Sequence, residues 1–145
     1  MKIGVPSEVK NNEHRVGLTP ESVKSLSNLG HEVLIQSNAG DAIGFKDHLY
    51  TLSGATIIES ASELYKASNL IIKVKEPVED ELQFLRDDLT LFTYLHLAGD
   101  PVKAKKLLET GVTGIAYETV TSDDGSLPLL APMSAIAGQL GVVVG

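Results

Sequence analysis

Six short apolar runs rich in β-forming residues alternate along the chain with polar segments that carry helix signals, and this alternation limits the possible folds most strongly. A strand, a crossover helix and the next strand almost always form a right-handed unit with parallel strands. The pattern therefore predicts an α/β domain with a doubly wound, mostly parallel sheet, of flavodoxin-like or Rossmann-like form. The predicted strands are Lys2–Pro6, Glu32–Gln36, Ala55–Glu59, Leu70–Lys75, Leu89–His96 and Val112–Glu118.

Cap and stop residues mark the helices between these strands. The first helix has the strongest signal, with a cap at Thr19, a proline at its first position and Gly30 at its end. Ser60 and Glu63 have the spacing of a capping box and predict the start of another helix. Further helices are predicted from Asp47 to Gly54, over Glu79–Arg86 and from Asp100 to Gly111.

The last part of the chain departs from this alternation. A turn-rich connector is followed by a segment that opens at Ser134 and is apolar on nearly every face. Such a helix is expected to need cover from further protein. We therefore expect residues 1–133 to form one domain and residues 134–145 to begin an interdomain helix that leads to a second domain. Without that cover, we expect residues 1–145 to self-associate.

The composition excludes several classes of function. The 145 residues include no cysteine, which rules out disulfide scaffolds, iron–sulfur clusters and thiol nucleophiles, and no metal site can be constructed from the other residues. The formal net charge is −7 and no Lys/Arg-rich run occurs, so we expect no nucleic-acid partner. With neither a secretory signal nor an apolar run of the roughly 18 residues that a membrane span needs, we expect a cytoplasmic protein that does not bind membranes.

Charged side chains gather where the predicted strands end. Lys75 ends the fourth predicted strand, and His96 and Glu118 lie at the ends of the fifth and sixth. Arg15 lies in the loop after the first strand. Ligands of parallel sheets bind outside these carboxyl ends, and two cations beside a histidine suit a small oxo-acid. The alternative interpretation is that Lys75 is a solvated lysine and that Glu118 only ends its strand.

Five segments resemble, in order and spacing, the N-terminal part of the bacterial L-alanine dehydrogenases. They are KIGVPSEVKNNEHRVGLTP, IIKVKEP, LFTYLHLA, IAYETV and DGSLPLLAPMS, and together they cover essentially the whole chain. This part of the family is similar to the α subunit of proton-translocating nicotinamide nucleotide transhydrogenase, which is the nearest rival. The histidine of YLH favours the dehydrogenases, because the transhydrogenases lack it.

The resemblance implies reversible oxidative deamination of L-alanine to pyruvate and ammonia with NAD. It also implies a homo-oligomer, since the family is hexameric, and a main NAD-binding Rossmann domain beyond these residues. A stand-alone module that binds carboxylates without catalysis is the alternative. Carried over by position, the site residues are Arg15 and Lys75 on the substrate carboxylate, His96 as acid/base, Tyr94 and Met133 in the pocket wall, and Ser134 on the cofactor.

Overall fold

A computed structural model describes residues 1–144 of the chain. Over these residues six strands form one sheet in which every neighbouring pair is parallel. The strands are β1 (Lys2–Val5), β2 (Glu32–Gln36), β3 (Ala55–Ile58), β4 (Leu70–Ile72), β5 (Thr90–Thr93) and β6 (Thr113–Ala116). The helices are α1 (Pro20–Asn28), α2 (Asp47–Leu52), α3 (Ala61–Ala67), α4 (Glu79–Leu82), α5 (Pro101–Glu109) and α6 (Ala131–Val144). The predicted α/β class is confirmed.

The strand order β3-β2-β1-β4-β5-β6 places the beginning of the chain in the middle of the sheet. The chain builds outward from β1 to β3 and then returns to β4 on the other side of β1. This is the Rossmann order rather than the flavodoxin-like one. Where the order reverses, between β1 and β4, the connections leave in opposite directions. A crevice therefore opens outside the carboxyl ends of these two strands.

Two apolar clusters cover the two faces of the sheet. Because successive side chains of a strand point to opposite faces, Val33 and Ile35 of β2 join one cluster and Leu34 joins the other. The first cluster includes Val23 of α1 and the second includes Leu64 of α3, and both of these side chains are fully buried. The helices thus pack on both faces, as the doubly wound prediction requires.

The helix caps follow the predicted chemistry. The Thr19 hydroxyl accepts a hydrogen bond from the backbone N–H of Ser22 at 3.2 Å, and the Ser60 hydroxyl accepts one from Glu63 at 3.2 Å. Asp100 does the same for α5, through the N–H of Lys103 at 2.9 Å. Each cap provides an acceptor for an N–H group that has no partner inside its helix.

The two strands that carry site residues end earlier than predicted. β4 stops at Ile72, because the N–H of Val74 donates to the Glu8 carboxylate instead of to a neighbouring strand. β5 stops at Thr93, and the N–H groups of Leu95 and His96 donate to Glu118. Backbone bonds from Lys73 to Phe92 and from Tyr94 to Val74 still join the two segments beyond the strand ends, and side-chain carboxylates accept from the N–H groups between and after them.

Two helices also differ from their predicted bounds. α4 ends at Leu82 rather than Arg86, whose guanidinium donates instead to the backbone carbonyls of Tyr65 and Ser68 near the end of α3. α6 begins at Ala131, before the predicted start at Ser134, and nearly all of its side chains are exposed. No helix among residues 1–144 combines the length and apolar character needed to cross a bilayer.

Candidate active site

A cavity of about 500 Å³ lies in the crevice at the carboxyl edge of the sheet. Its wall is mostly apolar, and the loop after β1, the ends of β4 and β5, and the start of α6 all contribute to it. Arg15 is a charged residue in this wall, beside the phenol ring of Tyr94 and the thioether of Met133. An apolar cavity with a cation at one point can hold a small organic anion in one orientation.

The loop that carries Arg15 lies directly on β4. At Gly17, a Cβ atom would come within 2.6 Å of the carbonyl oxygen of Ile72, so only glycine allows this close approach. The contact fixes the loop, and with it the base of the Arg15 side chain, against the strand that leads to Lys75.

Glu13 holds the Arg15 guanidinium through two hydrogen bonds. Nε donates to Oε1 at 2.8 Å and Nη2 donates to Oε2 at 2.6 Å. The remaining nitrogen, Nη1, lies 4.0 Å from the sulfur of Met133 in the cavity wall. A bidentate pair of this kind fixes the plane of the guanidinium. It directs Nη1 towards the cavity.

Glu13 and Arg15 each stabilise the ionised form of the other. The hydrogen bonds from Arg15 lower the pKa of the Glu13 carboxyl to about 2, and the positive charge of Lys75 contributes to the same shift. The bonds to Glu13 in turn raise the pKa of the Arg15 guanidinium. Glu13 therefore stays ionised and Arg15 stays cationic across the whole physiological pH range.

Glu8 fixes the backbone from which Lys75 projects. One carboxylate oxygen accepts from the N–H of Val74 at 2.7 Å, and both oxygens lie 3.4 Å from the N–H of Lys75. Glu8 itself lies in the loop after β1. Its carboxylate therefore joins the two chain segments that carry the cations of the site.

Glu8 also belongs to a buried ion cluster with Lys73 and Glu81. The Lys73 ammonium is fully buried and lies 2.6 Å from Oε1 of Glu81 and 3.5 Å from Oε2 of Glu8. The hydroxyl of Tyr65 donates to Glu81 at 3.0 Å. Burial raises the pKa of Glu8, and the charge of Lys73 opposes that shift in part. Lys73 thus neutralises carboxylates that would otherwise be buried without a cation.

An aromatic row connects the cavity to His96. The ring of Tyr117 packs edge-on against Phe92 at 4.3 Å and against Tyr94 at 5.0 Å between ring centres. Tyr94 then stacks on the imidazole of His96 at 5.8 Å, with an angle of 12° between the ring planes. The Tyr94 hydroxyl donates to the carbonyl of Leu129 at 2.6 Å. Both ends of Tyr94 are thereby held.

The structure brings the expected site residues to one edge, in two neighbouring places. Arg15, Tyr94 and Met133 line the cavity, whereas the exposed His96 lines an adjoining one of about 400 Å³ together with Glu118. Lys75 is half-buried and, among residues 1–144, lies outside both walls. Ser134 is exposed on α6, one residue after Met133. Over the described part of the chain, no group of three or more histidines and carboxylates is arranged to hold a metal ion.

Three glutamates hold the site, of which Glu8 and Glu13 had no assigned role in the sequence interpretation, while Glu118 was expected either to orient a neighbour or only to end its strand. Glu13 lies two residues before Arg15 in the same loop. This short spacing was the sequence feature that could have predicted their ion pair. Glu8 and Glu118 had no local signal, because they accept from backbone groups 66 and 22 residues away. Only the strand order brings these partners together.

The fold and the site together define a class: an all-parallel α/β domain that presents an oriented guanidinium in a cavity at its switch-point crevice and a histidine in a second cavity at the same edge of the sheet. The family model described as "Alanine dehydrogenase/PNT, N-terminal domain" matches residues 4–137. The chain belongs to this family.

Curated relatives and solved structures agree with this assignment. The chain is 50% identical over all 145 residues to the alanine dehydrogenase of Staphylococcus epidermidis, and 48% identical to that of Mycolicibacterium smegmatis. It spans 39% of the length of each. A solved L-alanine dehydrogenase matches all of the chain with a TM-score of 0.94 and 48% identity, over 40% of its own length. A transhydrogenase from Sinorhizobium meliloti matches 81% of the chain and 35% of its own, with a TM-score of 0.76 and 26% identity.

Proposed function

We propose that the chain is the substrate-binding part of an NAD-dependent L-alanine dehydrogenase. In this reaction L-alanine, NAD⁺ and water give pyruvate, ammonium, NADH and a proton, reversibly. The observation that carries the proposal is the cavity at the switch point, where Arg15 is already oriented by Glu13. The higher identity to dehydrogenases than to the transhydrogenase supports the same choice.

The two cations hold the substrate carboxylate in this proposal. Arg15 offers Nη1, which faces the cavity, and the half-buried Lys75 adds a second positive charge. Tyr94 and Met133 pack against the carbon atoms of a ligand anchored in this way. Anchoring at one end positions the α-carbon for reaction, which is a large part of what an enzyme contributes.

His96 serves as the acid/base. An imidazole can give or take a proton near neutral pH, and the oxygen that leaves as water during imine formation must be protonated. In the direction of deamination the same group accepts a proton from the water that attacks the imine. Stacking on Tyr94 places the imidazole next to the cavity while its edges stay open to solvent.

Bound NAD supplies the hydride acceptor or donor for the α-carbon. Among the residues described, Ser134 is the one we assign to it. This exposed hydroxyl follows Met133 directly, so a nicotinamide that approaches the cavity from the α6 side can contact it.

We also propose that residues 1–133 form the substrate domain and that residues 134–145 begin the interdomain helix. This division is consistent with the 39% share of the relatives' length.

The proposal is tested by NADH oxidation in the full-length enzyme with pyruvate and ammonium. We expect Lys75→Ala to lower kcat/KM for pyruvate by about tenfold to a hundredfold, because a hydrogen bond to a charged group contributes about 1.5–3 kcal/mol. Lys24→Ala, which removes an exposed lysine on α1, is the matched control and should leave kcat/KM unchanged. An enzyme that does not consume NADH would refute the function, and an unchanged Lys75→Ala would remove Lys75 from the site.

We further propose, on the family resemblance, that the whole protein is a homo-oligomer, and, on the structure, that residues 1–145 self-associate when no second domain covers α6. α6 exposes Ile136, Leu140 and Val142 by 52%, 57% and 85%, and apolar side chains exposed together favour association. Light scattering on residues 1–145 is expected to give the mass of a dimer or a larger species. A monomer at micromolar concentration would contradict this expectation.

The cytoplasmic location expected from the sequence stays a prediction.

A further inference from the structure

His96 has an unusual backbone conformation. Its φ and ψ angles are 50° and 34°, in the left-handed region that residues with side chains seldom adopt. The chain turns at this point from the end of β5 into the 3-10 turn Leu97–Gly99. Such strain persists only where neighbouring groups hold it in place, and it is found most often at functional sites.

Glu118 is the neighbouring group that holds this turn. Its Oε1 accepts from the N–H of His96 at 2.7 Å and from the N–H of Leu95 at 3.1 Å. Oε2 lies 3.3 Å from the same Leu95 nitrogen. Both N–H groups have left the ladder between β5 and β6, so the sheet no longer determines where this backbone lies. The carboxylate on the turn after β6 does so instead.

We propose that Glu118 is a positioning residue that fixes the His96 backbone, and thereby places the imidazole over Tyr94 for proton transfer. The inference rests on the proposed function and adds a role for a residue whose hydrogen bonds go to the backbone N–H groups of Leu95 and His96. The competing explanation is that Glu118 only stabilises the strand ends. The two differ in whether the loss of Glu118 acts through His96.

The first test compares three variants of the full-length enzyme in the NADH assay. Glu118→Ala removes both acceptor contacts and is expected to lower kcat by about tenfold to a hundredfold, the cost of displacing a reacting group by about 1 Å. The KM for pyruvate should change by less than about threefold, because Arg15 and Lys75 are untouched. Glu118→Gln keeps an acceptor oxygen and should restore most of kcat. Asp124→Ala is the control, since it removes a carboxylate–backbone bond, to Ser126, in the exposed connector.

The decisive measurement is a double-mutant cycle with His96. If Glu118 acts through His96, adding Glu118→Ala to His96→Ala should lower kcat no further. Losses that multiply in the double variant, or a kcat of Glu118→Ala equal to that of the wild type, would overturn the positioning role. If Glu118→Ala does not fold, Glu118→Asp withdraws the acceptor by one methylene and should give the same non-additive loss.

This test separates the two proposals. A wild-type enzyme without alanine dehydrogenase activity, or His96→Ala with full turnover, contradicts the proposed function or the role of His96. Activity that depends on His96 but is unaffected by Glu118→Ala contradicts only the positioning role of Glu118.

Discussion

His96→Ala is expected to lower the turnover of the full-length enzyme by about 10²–10⁴-fold, while the KM for pyruvate changes little. Proton transfer by a positioned side chain stabilises the transition state and contributes about this factor. In the proposed site the substrate carboxylate is held by other residues, Arg15 and Lys75, so binding should survive. Steady-state rates of NADH oxidation at varied pyruvate, with ammonium in excess, give kcat and KM separately.

His48→Ala is the matched control for this measurement. His48 is an exposed histidine on α2 that lines neither of the two cavities of the site, and its loss should leave both constants unchanged. A His96→Ala enzyme whose kcat equals that of the wild type would assign His96 a structural role. A rise in KM with an unchanged kcat would make it a binding residue instead.

Lys73→Ala is expected to lower the free energy of unfolding by about 3–5 kcal/mol. Removing one partner of a buried ion pair leaves the other charge in an apolar environment, and in this cluster two carboxylates, Glu8 and Glu81, lose their common cation. Since domains are stable by only about 5–15 kcal/mol, a loss of this size removes much of the stability. Urea unfolding of the chain, followed by circular dichroism, measures the difference.

Lys2→Ala provides the comparison, because Lys2 forms an ion pair with Glu32 in which both side chains are about half exposed. Exposed pairs contribute about 0–1 kcal/mol, so this variant should unfold close to the wild type. Lys73→Arg keeps the charge and should be the milder change at the buried position. If Lys73→Ala lost no more stability than Lys2→Ala, the carboxylates would have to be neutral or hydrated without the lysine.

The fold could be predicted from the sequence because its signals are local. The caps at Thr19 and Ser60 and the apolar runs of the strands are each set within a few residues, and the alternation of strand and helix then requires parallel pairing. Strand ends were predicted less well. β4 and β5 stop where Glu8 and Glu118 capture backbone N–H groups, and neither interaction can be inferred from nearby residues.

The candidate site was predicted in part for a related reason. Lys75 and His96 follow the ends of β4 and β5 and Arg15 lies in the loop after β1, so the parallel sheet alone directs all three to one edge. The orientation of Arg15 by Glu13 depends on side-chain geometry that a sequence does not show. Lys73 and Lys75 belong to the same short segment, yet one is fully buried and the other is half-buried. Strand alternation does not explain the difference, because β4 ends at Ile72 and residues two apart would share one face. Lys73 is buried because its ammonium packs between the carboxylates of Glu8 and Glu81, which come from distant parts of the chain.

The link between Glu8 and the backbone after β4 also bears on when the site forms during folding. The two groups are 66 residues apart along the chain, and they meet only after β1 has paired with β4. Closing so long a loop costs entropy that is regained only when the non-local pairing is complete. A chain in which only β1 to β3 have paired therefore lacks both Lys75 and the strand against which the Arg15 loop is fixed. The proposed binding site consequently requires the pairing of β1 with β4, which joins the two halves of the sheet.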